Sequence, residues 1–332
     1  MAAKIKVGIN GFGRIGRTLF RSLLRHPHIE VVHVNDIADT KTLAHLLKYD
    51  SIHGVLHEPI KITPTGITVA TKEVRFSAEK DISKINWKEA ELIIEATGKF
   101  KETDQLKQHL QGNVQKVILS VPPLDDSIKT VVYGVNQSEI TREDTIISNA
   151  SCTTNNAAPM VQILDKLCGI KQAYITTVHS YTTDQSLHDQ PHRDLRRARA
   201  AGQSIVPTTT GAAKALTKIF PHLSNVIGGC GIRVPVPNGS LCDITFNVQK
   251  EVTIETINNA FKKASENELK GVLQYTEDPI VSIDIVGNTH SCIFDAGMTS
   301  VIGSMVKIIG WYDNEVGYSS RIVDLILHVS RK

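Results

Sequence analysis

Cysteine is scarce in this sequence, with five among 332 residues. The nearest two, Cys230 and Cys242, are twelve positions apart, so there is no C-x-x-C pair and no zinc-ribbon spacing. So few cysteines, and an odd number of them, exclude a disulfide scaffold and favour a reducing, cytosolic setting. The sequence therefore predicts neither a metal site nor a disulfide framework.

Long apolar runs and an excess of one charge are also missing. No apolar run reaches the roughly 18 residues that a membrane span needs. The chain enters a strand-like run at residues 5–9 with no apolar signal segment before it, so we expect a cytoplasmic protein. The 37 basic and 34 acidic residues give a net charge of +3, which argues against nucleic acid or a membrane surface as the main partner.

The remaining composition is that of an ordinary globular chain, long enough for two domains. Hydrophobic residues make up 41%, which allows a sizeable core. Up to Asn149 the sequence alternates strand-like and helix-like segments, the pattern of a parallel α/β sheet. Beyond it several strand-like segments follow one another, at residues 174–179, 226–234, 241–248, 291–295 and 305–312. This second half predicts an α+β domain with an antiparallel or mixed sheet.

A dinucleotide-binding motif follows the first strand-like segment. Gly11, Gly13 and Gly16 form G-x-G-x-x-G between a strand and a helix, and Asp36 stands twenty positions after Gly16. The first glycine permits the tight turn, the second lets a pyrophosphate approach, and the third lets helix and strand pack closely. Because Asp36 can bond both ribose hydroxyls and would repel a 2′-phosphate, the motif predicts a Rossmann-type domain that binds NAD. Lys80 and Ser120 are further candidates for cofactor contact.

A cysteine and a histidine stand at positions suited to chemistry. Cys152 lies in the run SCTTN, where a strand ends and a helix is expected to begin near Thr153. The helix dipole would stabilise its thiolate there, and free N–H groups would favour an anion. His179 ends a strand before a long polar stretch, although pattern alone leaves open whether the two residues meet. The other four cysteines are expected to be small core residues.

Three basic or hydroxyl-rich segments predict binding of a phosphorylated substrate. They are the arginine-rich loop around Arg197, the TTTG run that ends in Thr210 and Gly211, and Arg233 in an otherwise apolar strand. A lone arginine among apolar neighbours must be paired or functional. The arginine loop alone is also compatible with a solvated surface, a subunit contact or nucleic acid, but no aromatic stacking pattern accompanies it.

Together these segments resemble the phosphorylating, NAD-dependent glyceraldehyde-3-phosphate dehydrogenases of the glycolytic type. The matching segments run in family order from end to end: KVGINGFGRIGRT, ISNASCTTN, HSYTTDQ, DLRRARA, TTTGAA and WYDNEVGYS. The resemblance implies an NAD-binding domain of residues 1–149 plus the C-terminal helix 315–332. It implies a catalytic domain of residues 150–314, with a large, mostly antiparallel sheet.

The same resemblance assigns roles to individual residues. Cys152 would be the nucleophile and His179 its base. The positions implied for NAD are Gly11, Gly13, Arg14, Ile15, Gly16, Asp36, Lys80, Ser120 and Asn314. Those implied for glyceraldehyde 3-phosphate and inorganic phosphate are Ser151, Thr153, Thr182, Arg197, Thr210, Gly211 and Arg233. A homotetramer is implied as well, because residues 181–204 match a loop that packs at subunit contacts.

Two departures and one alternative accompany the resemblance. Asn156 stands where the family often has a second cysteine, and Val316 stands where it usually has tryptophan. The chemistry does not require that second cysteine, and Val316, although smaller than tryptophan, leaves Asn314 in place for recognition of the nicotinamide. The nearest alternative activity is that of erythrose-4-phosphate dehydrogenase, which shares the fold, the cysteine and the histidine.

Overall fold

A computed structural model describes residues 4–331 of the chain. They form two compact units, one made of residues 4–131, 137–150 and 319–331, the other of residues 132–136 and 151–318. No helix within the described range is both long enough and apolar enough to cross a membrane.

The first unit contains eleven strands and three complete α-helices among its described residues. The strands are β1 Ile5–Asn10, β2 Ile29–Asn35, β3 Tyr49–Asp50, β4 Gly54–Val55, β5 Ile60–Thr63, β6 Gly66–Val69, β7 Lys72–Ser77, β8 Leu92–Glu95, β9 Lys116–Leu119, β10 Lys129–Thr130 and β11 Ile146–Ser148. The helices are α1 Arg14–Leu23, α2 Thr40–Lys48 and α3 Thr103–Leu106.

Nine of these strands form one sheet, in the order β10-β11-β9-β8-β1-β2-β7-β6-β5. The strands from β10 to β7 pair in parallel, and only the β7-β6-β5 edge is antiparallel. Asn10 is in register with both Asn35 and Glu95, so three polar side chains stand side by side where β2, β1 and β8 end. Because carboxyl ends of parallel strands share one edge, the residues that follow them meet there.

The second unit is built around another sheet. Its helices are α4 Cys152–Cys168, α5 Ala212–Ile219 and α6 Ile254–Glu266. Its strands are β12 Ile170–Ser180, β13 Val206–Thr208, β14 Ile227–Val234, β15 Ser240–Val248, β16 Leu273–Thr276, β17 Cys292–Asp295, β18 Ser300–Ile302 and β19 Met305–Tyr312. The last helix, α7, spans Val316–Val329.

The second sheet is mixed and mostly antiparallel, which confirms the predicted fold class. Its order is β13-β14-β12-β15-β19-β17-β16, with β18 on β19. Only the β12–β14 and β16–β17 pairs are parallel. The β12–β14 register places His179 opposite Arg233, which brings together two residues that lie 54 positions apart in the chain.

The helix that follows the glycine-rich motif, α1, ends at Leu23, ahead of His26 and Pro27. The amphipathic C-terminal helix buries Ile322, Leu325 and Ile326 completely. Its residues from 319 onward belong to the first unit, which the spacing of its apolar residues alone did not indicate.

Candidate active site

Cys152 is the first residue of α4, one position earlier than predicted. The helix is capped by Ser151, whose Oγ accepts a hydrogen bond from the Thr154 N–H at 3.0 Å. The residue before the cap, Ala150, has a φ of 55°, a conformation that is costly for a residue with a Cβ. The cap and this turn fix the direction in which the Cys152 side chain leaves the helix.

The sulfur of Cys152 lies beside the imidazole of His179. The distance from Cys152 Sγ to His179 Nε2 is 3.4 Å. On the other side of the ring, His179 Nδ1 lies 2.7 Å from the carbonyl oxygen of Ser180. The ring has two neutral tautomers: a proton on Nδ1 suits the carbonyl acceptor, and a proton on Nε2 suits the Arg233 Nη1 donor that lies 2.8 Å from Nδ1. The tautomer with its proton on Nδ1 presents the Nε2 lone pair to the sulfur and can take a proton from the thiol.

Arg233 supplies a positive charge next to this pair. Its Nη1 lies 2.9 Å from the Ser180 carbonyl oxygen and 2.8 Å from His179 Nδ1. Burial, followed by the charge of Arg233, lowers the pKa of His179 to about 3. The imidazole is therefore neutral near pH 7 and available as a base.

The pKa of Cys152 differs from the expectation based on the helix dipole alone. Burial raises the pKa of the thiol above its usual value, and Arg233 and the Thr153 N–H oppose that rise without cancelling it. Desolvation of the sulfur thus outweighs the charge and the helix N-terminus. The resting pair is a thiol and a neutral imidazole in hydrogen-bonding contact.

Tyr312 packs against His179 and bonds the residue after Cys152. The sequence analysis did not identify it as a site residue. Its hydroxyl lies 2.9 Å from Oγ1 of both Thr153 and Thr177, which ties the first turn of α4 to β12. Its ring meets the His179 ring edge-on, with centroids 5.9 Å apart. The available signal was its position in the WYDNEVGYS run, two residues before the predicted cofactor contact Asn314.

The carboxamide of Asn314 is fixed in the second unit, near the end of β12. Its Oδ1 accepts hydrogen bonds from the hydroxyls of Ser180, at 2.9 Å, and Ser240, at 3.1 Å. These bonds set the rotation of the amide, which leaves Nδ2 as the group that can donate to a ligand.

Arg197 supplies a second guanidinium group among the residues predicted to bind phosphate. Its Nε bonds Thr208 Oγ1 at 2.9 Å, and its charge meets the carboxylates of Asp184 and Asp194. The pKa of Arg233 is lowered, first by burial and second by the positive charge of Arg197. The two guanidinium groups are therefore close enough to interact. Two neighbouring guanidinium groups attract an anion, but Asp184 and Asp194 compete with that anion for Arg197.

Several of the remaining residues predicted to bind substrate already form hydrogen bonds within the chain. Thr210 Oγ1 accepts a bond from the Ala212 N–H at 3.3 Å, and Gly211 is the N-cap of α5. The hydroxyls of Ser151 and Thr153 bond Thr154 and Tyr312. Thr182 is half-buried just beyond β12.

The glycine-rich loop of the first unit has the packing that the motif predicts. Gly11 has a φ of 94°, a left-handed conformation that favours glycine. A Cβ on Gly16 would come within 2.2 Å of the Gly11 carbonyl oxygen, so only glycine allows α1 to approach. A Cβ on Gly13 would meet no heavy atom of the described chain within 4 Å, apart from its immediate neighbours. The space over Gly13 is open, as close approach of a pyrophosphate requires.

Of the other cofactor candidates of this unit, three lie after strand ends and two lie at the start of α1. Asp36 follows β2, and its Oδ2 accepts a bond from the Phe12 N–H at 2.7 Å, which holds it against the loop. Ser120 follows β9 and is buried, and Lys80 is exposed beyond β7. Arg14 and Ile15 open α1, where the Arg14 side chain forms an ion pair with Asp50 at 2.6 Å. The open loop, the helix N-terminus and the acid after β2 together suit a dinucleotide.

The other cysteines are core residues with one exception. Cys168, Cys242 and Cys292 are buried as expected, whereas Cys230 is only partly buried. The expectation for Cys230 was therefore wrong in part: it faces Thr176 across the β12–β14 pair, with Sγ 3.8 Å from Oγ1.

Two family models match the chain. Residues 5–103 match the NAD binding domain of glyceraldehyde 3-phosphate dehydrogenase, and residues 151–314 match its C-terminal domain. The chain belongs to the glyceraldehyde-3-phosphate dehydrogenase family. Glyceraldehyde-3-phosphate dehydrogenase 2 of Streptomyces avermitilis is 51% identical over 99% of both chains. The Geobacillus stearothermophilus enzyme is 49% identical over 99% of both chains, and enzyme 1 of Bacillus cereus is 48% identical over 98% of this chain and 99% of its own.

Membership of this family makes NAD the cofactor and the chain an oxidoreductase. None of these dehydrogenase relatives bears the name of the erythrose 4-phosphate enzyme.

Proposed function

We propose that the protein oxidises glyceraldehyde 3-phosphate to 1,3-bisphosphoglycerate with NAD and inorganic phosphate. The observation that carries the proposal is the contact of Cys152 Sγ with His179 Nε2 at 3.4 Å. A thiol in contact with a neutral imidazole is the pair that covalent catalysis on an aldehyde requires.

The chemistry begins with proton transfer from Cys152 to His179 Nε2. The sulfur lone pair forms a C–S bond to the aldehyde carbon, and the carbonyl electron pair moves to oxygen, which gives a hemithioacetal. Protonated His179 and N–H groups at the start of α4 stabilise that oxygen. Protonated His179 gives its proton to that oxygen, and the resulting neutral imidazole takes the proton back from the hydroxyl when the hydride leaves. NAD, held by the residues assigned below, would supply the hydride acceptor that conversion of the hemithioacetal to a thioester requires.

The second half of the reaction needs a second anion. A phosphate oxygen attacks the thioester carbon, the C–S bond breaks, and the sulfur of Cys152 leaves as the thiolate. We assign the substrate phosphate to Thr182, Arg197 and Arg233. We assign the attacking phosphate to Ser151, Thr153, Thr210 and Gly211. The two guanidinium groups and the helix N-termini at Cys152 and Ala212 support these assignments.

We further propose that residues 1–149 and 315–332 hold NAD and that residues 150–314 carry the chemistry. The cofactor contacts would be Gly11, Gly13, Arg14, Ile15, Gly16, Asp36, Lys80, Ser120 and Asn314. The open space over Gly13 and the anchored carboxylate of Asp36 support this set.

A cytoplasmic homotetramer is the assembly we propose. Leu187, Leu195 and Ile205 are 79%, 81% and 70% exposed on the loop after β12. Large apolar side chains at that exposure on one segment favour a subunit contact. Sedimentation equilibrium of the full chain tests it, since a monomer mass would contradict the proposal.

Absorbance of the reduced cofactor tests the activity. The protein is mixed with NAD and glyceraldehyde 3-phosphate, with and without inorganic phosphate, and erythrose 4-phosphate replaces the substrate in a parallel sample. We expect multiple turnovers only with glyceraldehyde 3-phosphate and phosphate together. Equal rates without phosphate, or a preference for erythrose 4-phosphate, would overturn the proposal.

A further inference from the structure

A fully buried carboxylate lies next to the glycine-rich loop, at a residue that the family motifs do not include. Glu95, the last residue of β8, has no exposed surface. Its Oε2 is bonded by Asn10 Nδ2 at 2.6 Å and His109 Nε2 at 3.0 Å. Its Oε1 is bonded by the Thr97 N–H at 2.9 Å and by the Thr97 hydroxyl.

Groups that can only donate fix the orientation of two of the partners of Glu95, His109 and Asn10. The Trp87 indole N–H lies 3.2 Å from His109 Nδ1. Since an indole only donates, Nδ1 must accept, and the neutral ring carries its proton on Nε2, toward Glu95.

The side-chain amides of Asn35 and Asn10 also have a fixed orientation, which makes Asn10 a donor to Glu95. The backbone N–H of Glu79 bonds Asn35 Oδ1 at 2.9 Å, which turns Asn35 Nδ2 toward Asn10 Oδ1, also at 2.9 Å. Asn10 must then present its own Nδ2 to Glu95. All four groups that reach Glu95 are placed as donors, so both oxygens of its carboxyl group act as hydrogen-bond acceptors.

These bonds link the strand ends from which the dinucleotide loop starts. The Gly11 N–H bonds the Asn35 carbonyl at 2.8 Å, and the Ala96 N–H bonds the Asn10 carbonyl at 2.7 Å. A Cβ on Gly11 would lie 2.7 Å from Thr97 N. The loop therefore packs directly on the turn whose N–H and hydroxyl Glu95 holds.

We propose that Glu95 is a positioning residue for NAD: its carboxylate fixes the spacing between the Gly11 loop and the Thr97 turn, and thereby the affinity for the dinucleotide. Glu95 acts through Asn10 and Thr97 and takes no part in the reaction at Cys152. The proposal rests on the assignment of the cofactor to the Gly11 loop.

Glu95→Gln tests this by replacing one carboxylate oxygen with an NH₂ that must face donors. We expect the Kd for NAD, from calorimetric titration of the full chain, to rise about tenfold, as one unsatisfied buried polar contact implies. The KM for NAD should rise alongside, while kcat at saturating NAD and the KM for glyceraldehyde 3-phosphate stay within about twofold. Glu91→Gln, an exposed carboxyl just before β8, is the matched control and should bind NAD like the wild type.

A second pair of variants covers the case in which Glu95→Gln does not fold. Thr97→Val removes the hydroxyl donor, and Thr97→Ser keeps it, so the Kd for NAD should rise in the first and return toward wild type in the second. An unchanged Kd in folded Glu95→Gln, or equal Kd values in the two Thr97 variants, would overturn the proposal. Because the titration needs no turnover, a wild-type chain that binds NAD without oxidising the aldehyde would contradict the proposed function and leave this inference standing.

Discussion

Arg233 Nη1 lies 2.8 Å from Nδ1 of His179, on the side of the ring opposite Cys152. The guanidinium therefore acts electrostatically on both members of the pair. It opposes the effect of burial on the thiol and reinforces the effect of burial on the imidazole. One positive charge thus favours the thiolate and a neutral base together.

Removal of that charge is expected to raise the pKa of Cys152 further. In Arg233→Gln, the pH profile of Cys152 alkylation by iodoacetamide should move upward by about one unit, the usual effect of a neighbouring charge. Less thiolate would then be present at any given pH below the new pKa. Arg233→Lys keeps a charge and should shift the profile less. Identical profiles in all three proteins would show that Arg233 does not act on the thiol.

Replacement of Cys152 by serine separates chemistry from cofactor binding. Because a serine hydroxyl is far less acidic than a thiol, turnover should fall by at least about a thousandfold. The NAD affinity, measured by titration, should remain, since the glycine-rich loop belongs to the other unit. Cys230→Ser changes a partly buried cysteine that does not contact His179 in the described chain and should retain activity. A near-normal rate in Cys152→Ser is the result that would refute the covalent mechanism.

Asp36→Ala should raise the use of NADP relative to NAD. The carboxylate would repel a 2′-phosphate, so its loss removes a penalty on NADP as well as a contact with the NAD ribose. Asp36 also accepts the Phe12 N–H bond, and alanine loses that anchor too. Asp36→Asn keeps an acceptor at this position and isolates the effect of charge. The measurement is the ratio of kcat/KM for the two cofactors, and an unchanged ratio in both variants would show that Asp36 does not select between them.

The glycine loop and the start of α4 were predictable because their determinants lie close together in the sequence. Gly11, Gly16 and the Ser151 cap each act within a few residues. The bond between Glu95 and Asn10 was not predictable, since the two residues are 85 positions apart and nothing in the local pattern pairs them.

The electrostatics of the site were harder to infer than its residues. Arg197 was recognised as a phosphate candidate, but its carboxylate partners Asp184 and Asp194 depend on how the loop folds back. The pKa of Cys152 was expected to be low from the helix N-terminus. Its desolvation is a property of the packed site and cannot be obtained from residue order.

His33 gives the fold a predicted weakness in acid. It is 2% exposed, its Nε2 bonds Ser77 Oγ at 2.9 Å, and its Nδ1 has no partner among the described residues. Burial, followed by the charge of Arg75, lowers its pKa from 6.5 to about 4. The unfolded chain binds the proton near pH 6.5 and the folded chain only near pH 4, so stability is complete above pH 6.5 and is lost as the pH falls between these values.

The expected loss between pH 7 and pH 4.5 is about 2 to 3 kcal/mol of unfolding free energy from this residue. Urea unfolding at both pH values measures it in the wild type and in His33→Gln, whose side chain does not titrate. The difference between the two pH values should be smaller in the variant by that amount. His57→Gln, a change at an exposed histidine, should behave like the wild type. Equal losses in wild type and His33→Gln would mean that burial of the His33 ring does not make the fold acid-sensitive.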